Sequence, residues 1–593
     1  MSLDSIPAEQ LLRHRLRLRR EFLKRPGLLS VRIAMLGGST TNEVADLLEL
    51  LLLDRGIAPT FYHSGFGRYF EEAVIDSAAL VNFKPDVVVV YTSSVNLQCL
   101  PPVSATEEEF AACLAAEIER FTTIWNSLQK DLQCVVVQNN FEAPGGRLLG
   151  NLDCYSPGGH TRYINAINES INQEARSRPS FLINDLNSVA AQVGLSVFHD
   201  PTRWFASKLI SSPAGSEAVA RSLAALIASV YGRSRKCLVL DLDNTLWGGV
   251  IGDDGQEGIR IGTGTPEAEA YTDFQHYCLR LRERGIILAI CSKNFESNAL
   301  LGLQHPDSTL KPEHFARRRV NWGPKPDNLK ALAEELNLGL DSMVFVDDNA
   351  AEREMVSAQL PMVAVPDVGD DVSGFIAAIE KGRYFETTRL SREDLGRAGQ
   401  YDANRQRSVE QARFANYGEY LDSLQMEAEI GSFKTVYLDR IAQLINKTNQ
   451  FNLTTRRYTL AEVQALQGDA NFITLYGKLL DRFGDNGLVS VIIGRQEMQA
   501  LHVDVWLMSC RVIGRNLEHA MLDALVRACQ GRNITAIYGY YIASEKNALV
   551  AEHYTALGFT PLAADGAGRT TWKLPVDTNY VPRNEHIKEL VHA

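Results

Sequence analysis

Short apolar runs with no inside-outside alternation recur along this chain, and they constrain its fold more than any other feature. Asp86-Val-Val-Val-Val-Tyr91, Gln133-Cys-Val-Val-Val-Gln138, Lys236-Cys-Leu-Val-Leu-Asp241 and Ile287-Leu-Ala-Ile-Cys291 are each followed by a helical pattern. A strand apolar on both faces must be covered on both faces. Alternation with helices therefore predicts parallel α/β sheets. Val31-Arg-Ile-Ala-Met-Leu36, ending in Gly37-Gly38-Ser39-Thr40-Thr41 and leading into a helix over 43–55, opens the first such unit, which spans 1–230. A second spans 231–385, with strands at 237–241, 286–291 and 343–347 and helices near 266–284, 295–303 and 326–337. A polar segment, 386–424, reads as a helical linker. In the third unit, 425–575, Val489–Ile493 and Leu501–Trp506 read as consecutive strands of a meander. A helix over 517–530, a strand over 534–540 and a helix over 547–557 follow. Residues 576–593 are left as a C-terminal tail.

At 593 residues the chain is too long for one core, which agrees with several domains. A net charge of −12 without a dense basic patch argues against nucleic acid. No apolar run approaches the roughly 20 residues that span a bilayer, so no membrane segment is expected. The Arg-rich stretch Arg13–Arg20 reads as a basic amphipathic surface helix rather than a secretory signal. Nine cysteines without a CxxC pair are expected to be reduced thiols of a cytoplasmic protein, not a disulfide framework or a zinc site.

The ends of the second unit's strands carry chemistry. Asp241-Leu-Asp243-Asn-Thr245 follows one strand without a gap, so both carboxylates fall in the loop where open α/β sheets bind ligands. Two such acids can divide nucleophilic and proton-transfer roles. The next strand ends in Ser292-Lys293-Asn294, whose hydroxyl and backbone N–H groups could hold phosphoryl oxygens. Lys325 opens a helix and supplies fixed positive charge. Asp347 and Asp348 end a further strand and, as paired carboxylates, suit Mg²⁺. About 45 residues separate Asp243 from the second strand and about 30 separate Ser292 from Lys325, too few for a full cap domain.

These four elements in this order resemble the haloacid dehalogenase superfamily. The resemblance implies that Asp241 forms an aspartyl-phosphate and that Asp243 is the general acid/base. It implies that Ser292 and Lys325 stabilise the transferring phosphoryl, and that Asp241, the Asp243 carbonyl and Asp347 bind Mg²⁺, with Asp348 as a substitute ligand. The longer wording Asp241–Gly255, together with Cys291-Ser-Lys-Asn294, Asn446–Arg456, Phe483–Val489 and Ser509–Gly514, resembles the FkbH-like (HAD-IIIC) proteins. That resemblance implies a three-carbon phosphate, 1,3-bisphosphoglycerate, as donor. Its glyceryl unit would be loaded with phosphate release onto the phosphopantetheine arm of an acyl carrier protein, in polyketide-type biosynthesis. Cys291 and Cys510 are candidates to carry the acyl group between. A stand-alone small-molecule phosphatase and a non-catalytic carrier-protein adaptor are the alternatives.

The third unit resembles GNAT acyltransferases. Arg511-Val-Ile-Gly514-Arg515-Asn516 matches their pyrophosphate loop except at Asn516, where glycine or alanine is expected, and Asn547 matches a later helix. These residues are candidates to bind coenzyme A or a phosphopantetheine arm. The stretch 446–456 either contacts such an arm or is a hydrogen-bonded structural loop. The first unit resembles SGNH hydrolases, with Ser39 at the nucleophile position and Asn96 at an oxyanion-hole position. The expected Asp-x-x-His is absent, so this site is read as inactive. The expected architecture is α/β and multidomain: a Rossmann-like haloacid-dehalogenase core flanked by an SGNH-like α/β domain and a GNAT-like α+β domain.

Overall fold

The apolar runs form the central strands of two parallel sheets. In the computed structural model, residues 3, 6, 8–544, 546–564, 568–577 and 579–590 are described, so the ends of the expected first domain and of the tail lie outside the described residues. The first sheet contains β1 (Leu29–Gly37), β2 (Ile57–His63), β3 (Val87–Tyr91), β4 (Val135–Asn139) and β5 (Phe181–Asn184), all parallel, in the order β2-β1-β3-β4-β5. Every residue of β3 and β4 is buried. Helices α1 (Asn42–Asp54) and α2 (Glu107–Asp131) belong to the layers around this sheet. A Thr106–Glu109 capping box fixes the start of α2 by satisfying backbone donors that a helix leaves open. The basic N-terminal segment is a helix, Ala8–Phe22, ion-paired to α1 through Arg19 and Glu49 at 2.7 Å.

The second sheet holds β6 (Cys237–Leu240), β7 (Ile287–Ser292), β8 (Arg317–Val320) and β9 (Met343–Val346), all parallel, in the order β8-β7-β6-β9. The chain runs outward from β6 to β8 and then crosses back to β9. The order therefore reverses beside β6, and such a reversal opens a crevice at the carboxyl ends of the flanking strands. Helices α3 (Pro266–Glu283), α4 (Glu296–Leu303) and α5 (Lys325–Glu335) lie where the sequence pattern puts them. Only a short helix, Ile251–Gly258, precedes α3 in the interval after Asp243.

The third sheet is mixed. It comprises β10 (Met426–Gly431), β11 (Phe472–Asp481), β12 (Gly484–Glu497), β13 (Ala500–Met508), β14 (Ala536–Ile542), β15 (Thr560–Ala564), β16 (Arg569–Pro575) and β17 (Ile587–Glu589), in the order β15-β16-β14-β13-β12-β11-β10-β17. The expected meander is the antiparallel β12-β13 pair. β13 and β14 run parallel but pair only from Ala500 to His502 against Ala536 to Tyr538, and beyond that they splay apart. Residues past 575 do not trail free, because β17 pairs in parallel with β10. The expected 386–424 linker contains α6 (Arg397–Gln411), which packs onto the third sheet through a buried Arg407–Asp481 pair at 2.8 Å. Helices α7 (Leu438–Lys447) and α8 (Leu517–Gln530) complete this part. The expected helix over 547–557 shortens to a single turn, Ala548–Val550, and a helix at His553–Ala556.

Residues 231–458 and 463–593 form one compact unit and 5–230 with 459–462 another, so the second and third sheets are parts of one body rather than two separate modules. The expectation of wholly reduced cysteines needs correction. Cys99 and Cys113 form a disulfide in the first unit and seven cysteines are free. No helix among the described residues is long and apolar enough to cross a membrane.

Candidate active site

The crevice beside β6 collects the residues that the sequence pattern singles out there. Asp241 directly follows β6, and its N–H donates to the Val346 carbonyl at 3.0 Å, which locks the ends of β6 and β9 together. Lys325, at the start of α5 and only 2% exposed, pairs with Asp241 at 2.8 Å and with Asp347. One ammonium thus bridges the carboxylates that end adjacent strands. Burial opposes its charge, but Asp241 and Asp347 hold its pKa above the ordinary lysine value. Burial first, then the Asp241 charge, pushes Asp347 up to about 6 and also raises Asp348. Three carboxylates share one lysine, so negative charge there is under-compensated.

Carboxylate oxygens of Asp241, Asp347 and Asp348 lie within 4.8 Å of one another. Asp241 Oδ1 is buried and has no partner among the described residues. A set of hard oxygen donors with one oriented, unused oxygen fits a divalent cation such as Mg²⁺. Thr245 donates to Asp348 at 3.2 Å, and Arg353 donates to the carbonyls of Asp347 and Asp348 at 2.9 and 2.7 Å, so neighbours hold the acidic turn in shape.

Asp243 is held apart from Lys325. Its Oδ1 accepts from Trp247 Nε1 at 2.9 Å and from the Ile251 N–H at 3.1 Å, and its Oδ2 accepts from Asn294 Nδ2 at 2.9 Å. Burial is the largest influence and raises its pKa, although the Ile251 and Trp247 bonds oppose the rise. Two carboxylates one residue apart are thereby differentiated. Asp241 is ion-paired, while Asp243 is hydrogen-bonded and pushed toward the protonated form that a general acid needs. Asn244, directly after Asp243, adopts a left-handed backbone (φ 52°), which turns the chain sharply behind the two acids. Ser292 ends β7 and is buried beside this turn, since β7 pairs with β6 in register. Asn294, Trp247, Thr245 and Arg353 were not singled out as site residues, although the first three sit inside the motif wording.

Neither candidate thiol stands ready at this centre. Cys291 is wholly buried with Sγ directed at the Lys325 carbonyl, and burial pushes its thiol up to about 12, the surroundings of a packing residue. Cys510 is partly exposed, but its charged neighbour is Lys236, at the opposite end of β6 from Asp241.

The third sheet also departs from the ligand-binding expectation. Phe451–Leu453 occupies the splay between β13 and β14. The Leu453 N–H donates to Trp506, the Met508 N–H to Phe451 and the Ile542 N–H to Leu453, at 3.1, 3.0 and 2.8 Å. Asn547 is fully buried and donates to the carbonyls of Asn452 and Ile542 at 2.9 and 3.0 Å, which makes it a structural pin rather than a ligand contact. The stretch 446–456 is therefore the hydrogen-bonded loop of the two readings. Arg515 is spent on Asp481 at 2.8 Å and on Asn404 at 2.9 Å, and Arg511 on Gln400 and Ser509. Asn516 caps α8 in a left-handed conformation (φ 58°), and the Gly514 carbonyl accepts from Tyr417 at 2.5 Å.

In the first unit, Ser39 and Asn96 do come together across the β1/β3 reversal. Asn96 Nδ2 donates to the Gly38 carbonyl at 2.8 Å. The Ser39 hydroxyl is buried and has no partner among the described residues, so no base activates it. His199 instead faces the Ala143 carbonyl at 3.3 Å.

Comparison with known proteins agrees with this geometry. Residues 32–219 match the family model of the FkbH N-terminal domain. A 136-residue stretch is 29% identical to a HAD-like hydrolase superfamily protein of Schizosaccharomyces pombe, covering 20% of this chain and 79% of that protein. The N-terminal part of protein BF1531 from Bacteroides fragilis, which contains a phosphatase domain and was crystallised with Mg, is similar with a TM-score of 0.58 at 27% identity, over 63% of this chain and 99% of that one. The ribosomal-protein-S18-alanine N-acetyltransferase of Escherichia coli aligns over 26% of this chain and 99% of its own at 14% identity and a TM-score of 0.20. Residues 32–219 thus match the FkbH N-terminal domain and are followed by a phosphatase-like part, an arrangement similar to that of FkbH-like proteins.

Proposed function

We propose that the protein uses its Asp241 centre, with Mg²⁺, to remove phosphate from a phosphorylated three-carbon acyl donor such as 1,3-bisphosphoglycerate, and loads the glyceryl unit onto the phosphopantetheine arm of an acyl carrier protein in polyketide-type biosynthesis. The observation that carries the phosphoryl-transfer part is the separation of two neighbouring acids, Asp241 on Lys325 and Asp243 on Asn294 and Trp247. A bound divalent ion supplies the positive charge that lets an anionic phosphoryl group approach the acidic trio. The chain's own residues do the rest. The carrier thiol attacks the acyl-phosphate carbonyl carbon, giving up its proton to solvent, the acyl C–O bond breaks and inorganic phosphate leaves with the thioester formed. At the remaining phosphate ester Asp241 attacks phosphorus, the ester P–O bond breaks, and Asp243 gives its proton to the departing oxygen. Asp243 then takes a proton from water as that water attacks the aspartyl-phosphate, releasing inorganic phosphate and restoring Asp241. Lys325 holds Asp241 in line, and Ser292 offers a donor to the phosphoryl oxygens. We read the first domain as an SGNH-like scaffold without hydrolase activity, since Ser39 lacks a base.

The sealed Cys291 and the filled gap in the third sheet favour a second reading, a phosphatase acting on small molecules without carrier loading. Incubation with Mg²⁺, 1,3-bisphosphoglycerate and a phosphopantetheinylated carrier separates the two. A glyceryl mass increment on the carrier supports loading. Phosphate release with an unchanged carrier leaves the simple phosphatase, and the absence of phosphate release from any common ester under Mg²⁺ defeats both.

A further inference from the structure

At the amino-terminal end of β6, away from Asp241, four separate elements send cations to one place. Lys236 enters β6, Arg397 comes from α6, Arg440 and Lys447 from α7, and Arg511 from the loop after β13. Their protein partners do not balance them. Lys236 Nζ donates to the Lys447 carbonyl at 3.1 Å, a neutral acceptor. Asp394 alone serves both Arg397 and Lys447, the latter at 3.4 Å. Arg440 reaches the neutral Gln443, and its Nε is buried without a partner among the described residues. Arg511 bonds to the neutral Gln400 and Ser509. Of the other carboxylates, Glu393 acts on Arg440, and Asp341, which also acts on Lys236, is ion-paired to Lys546. Five cations thus face two available acids.

Burial and mutual repulsion act together on this group. Burial lowers Arg440 and Arg511, and with the neighbouring charges of Arg397, Arg440 and Lys236 it brings Lys447 down to about 7. Burial would raise Asp394, yet Lys447 and Arg397 hold it well below the usual carboxylate range. A region that depresses acids and bases alike carries excess positive potential. These side chains nevertheless keep partial solvent contact, 27% for Lys447 and 19% for Arg397, so they line a recess rather than a sealed core. Uncompensated buried cations are costly, and an anion seated among them removes that cost.

We propose that this recess between the second and third sheets is a binding site for a phosphate group, separate from the Asp241 centre by the length of β6, roughly 16 Å. Guanidinium forks and ammonium groups converging from several directions match a tetrahedral oxyanion. The group could belong to free phosphate or to an organic phosphate such as a pantetheine ester, and the same chemistry would recognise either. The inference does not depend on the reading of the catalytic centre.

The test is calorimetric titration of the full-length protein in EDTA at fixed ionic strength, with inorganic phosphate, pyrophosphate or 4′-phosphopantetheine as probe. In EDTA the acidic trio repels these anions. We expect saturable binding of one equivalent, weakened at least about tenfold by Arg440→Gln and by Lys447→Gln and unchanged by Ser292→Ala. Phosphopantetheine binding at least about tenfold tighter than phosphate assigns the site to an organic phosphate, and equal affinities assign it to free phosphate. Thermal melting guards against a folding artefact. Without phosphate Arg440→Gln should melt no lower than the parent, because it removes like-charge repulsion, and it should lose the rise in Tm that phosphate gives the parent. Absence of saturable binding up to about 10 mM overturns the proposal. So does binding that survives both substitutions, or an Arg440→Gln destabilisation that is the same with and without phosphate.

Discussion

At the scale of single residues, the site depends on which neighbour each carboxylate is given. On the proposed mechanism Asp241→Asn removes the nucleophile but keeps its shape, so phosphate release should fall by at least about 10³-fold. A phosphate-release assay beside a thermal melt checks that the loss is chemical and not a failure to fold. Asn294 touches no reacting atom; it positions Asp243. Asn294→Ala should lower kcat by about 10- to 100-fold and move the alkaline limb of the pH–rate profile, where Asp243 loses its proton, to higher pH, because the carboxylate loses a donor that orients it and favours its ionised form. An unchanged pH profile would leave Asn294 a purely structural role. Much of this was legible in the sequence, since Asp241, Asp243, Ser292, Lys325 and Asp347 each stand at or just beyond a strand end or at a helix start. The partners of Asp243 were not, because Trp247 and Asn294 reach it only after the loops have folded, and no spacing rule encodes that approach. For Asn547 the sequence pointed the wrong way. A polar residue in a matching position looks the same whether it faces a ligand or pins a loop.

At the scale of elements, strands buried on both faces announce themselves and edge strands do not. β3, β4, β6, β7 and β9 were readable from unbroken apolar runs. β2 contains Pro59 and buries only Ile57, and β8 is Arg317-Arg-Arg-Val320 with no buried residue, so neither carries the signal of a covered strand. The turn around His553 makes a pH prediction. His553 is buried against Phe451 and Trp506 with Nε2 unpartnered, and burial pushes its pKa down to about 3. The unfolded chain takes up a proton near pH 6.5 that the folded chain refuses until about pH 3. Below pH 6.5 the unfolded state therefore binds more protons, and stability falls as pH falls, by about 1.4 kcal/mol per pH unit at most, levelling off near the folded value. Denaturant unfolding between pH 7 and 4 should show this slope, and His553→Gln should flatten it by up to one proton. A slope unaffected by that substitution would move the cause elsewhere.

At the scale of the whole molecule, the division runs between the first sheet and the other two, not at each sheet. The buried Arg407–Asp481 and Arg515–Asp481 pairs tie α6 to the third sheet, and Lys546–Asp341 ties that sheet to the second. Calorimetry should accordingly resolve two unfolding transitions, and a fragment limited to 231–385 should not fold cooperatively. Three transitions, or a well-folded 231–385 fragment, would contradict this. The inserted stretch Phe451–Leu453 has a consequence of a different kind. Amide protons at Leu453, Met508 and Ile542 are donated across a seam stitched from the chain itself, so deuterium can replace them only when that seam opens. Their exchange half-lives are thus a clock for the opening, and any small molecule that wedges β13 from β14 would have to quicken all three together.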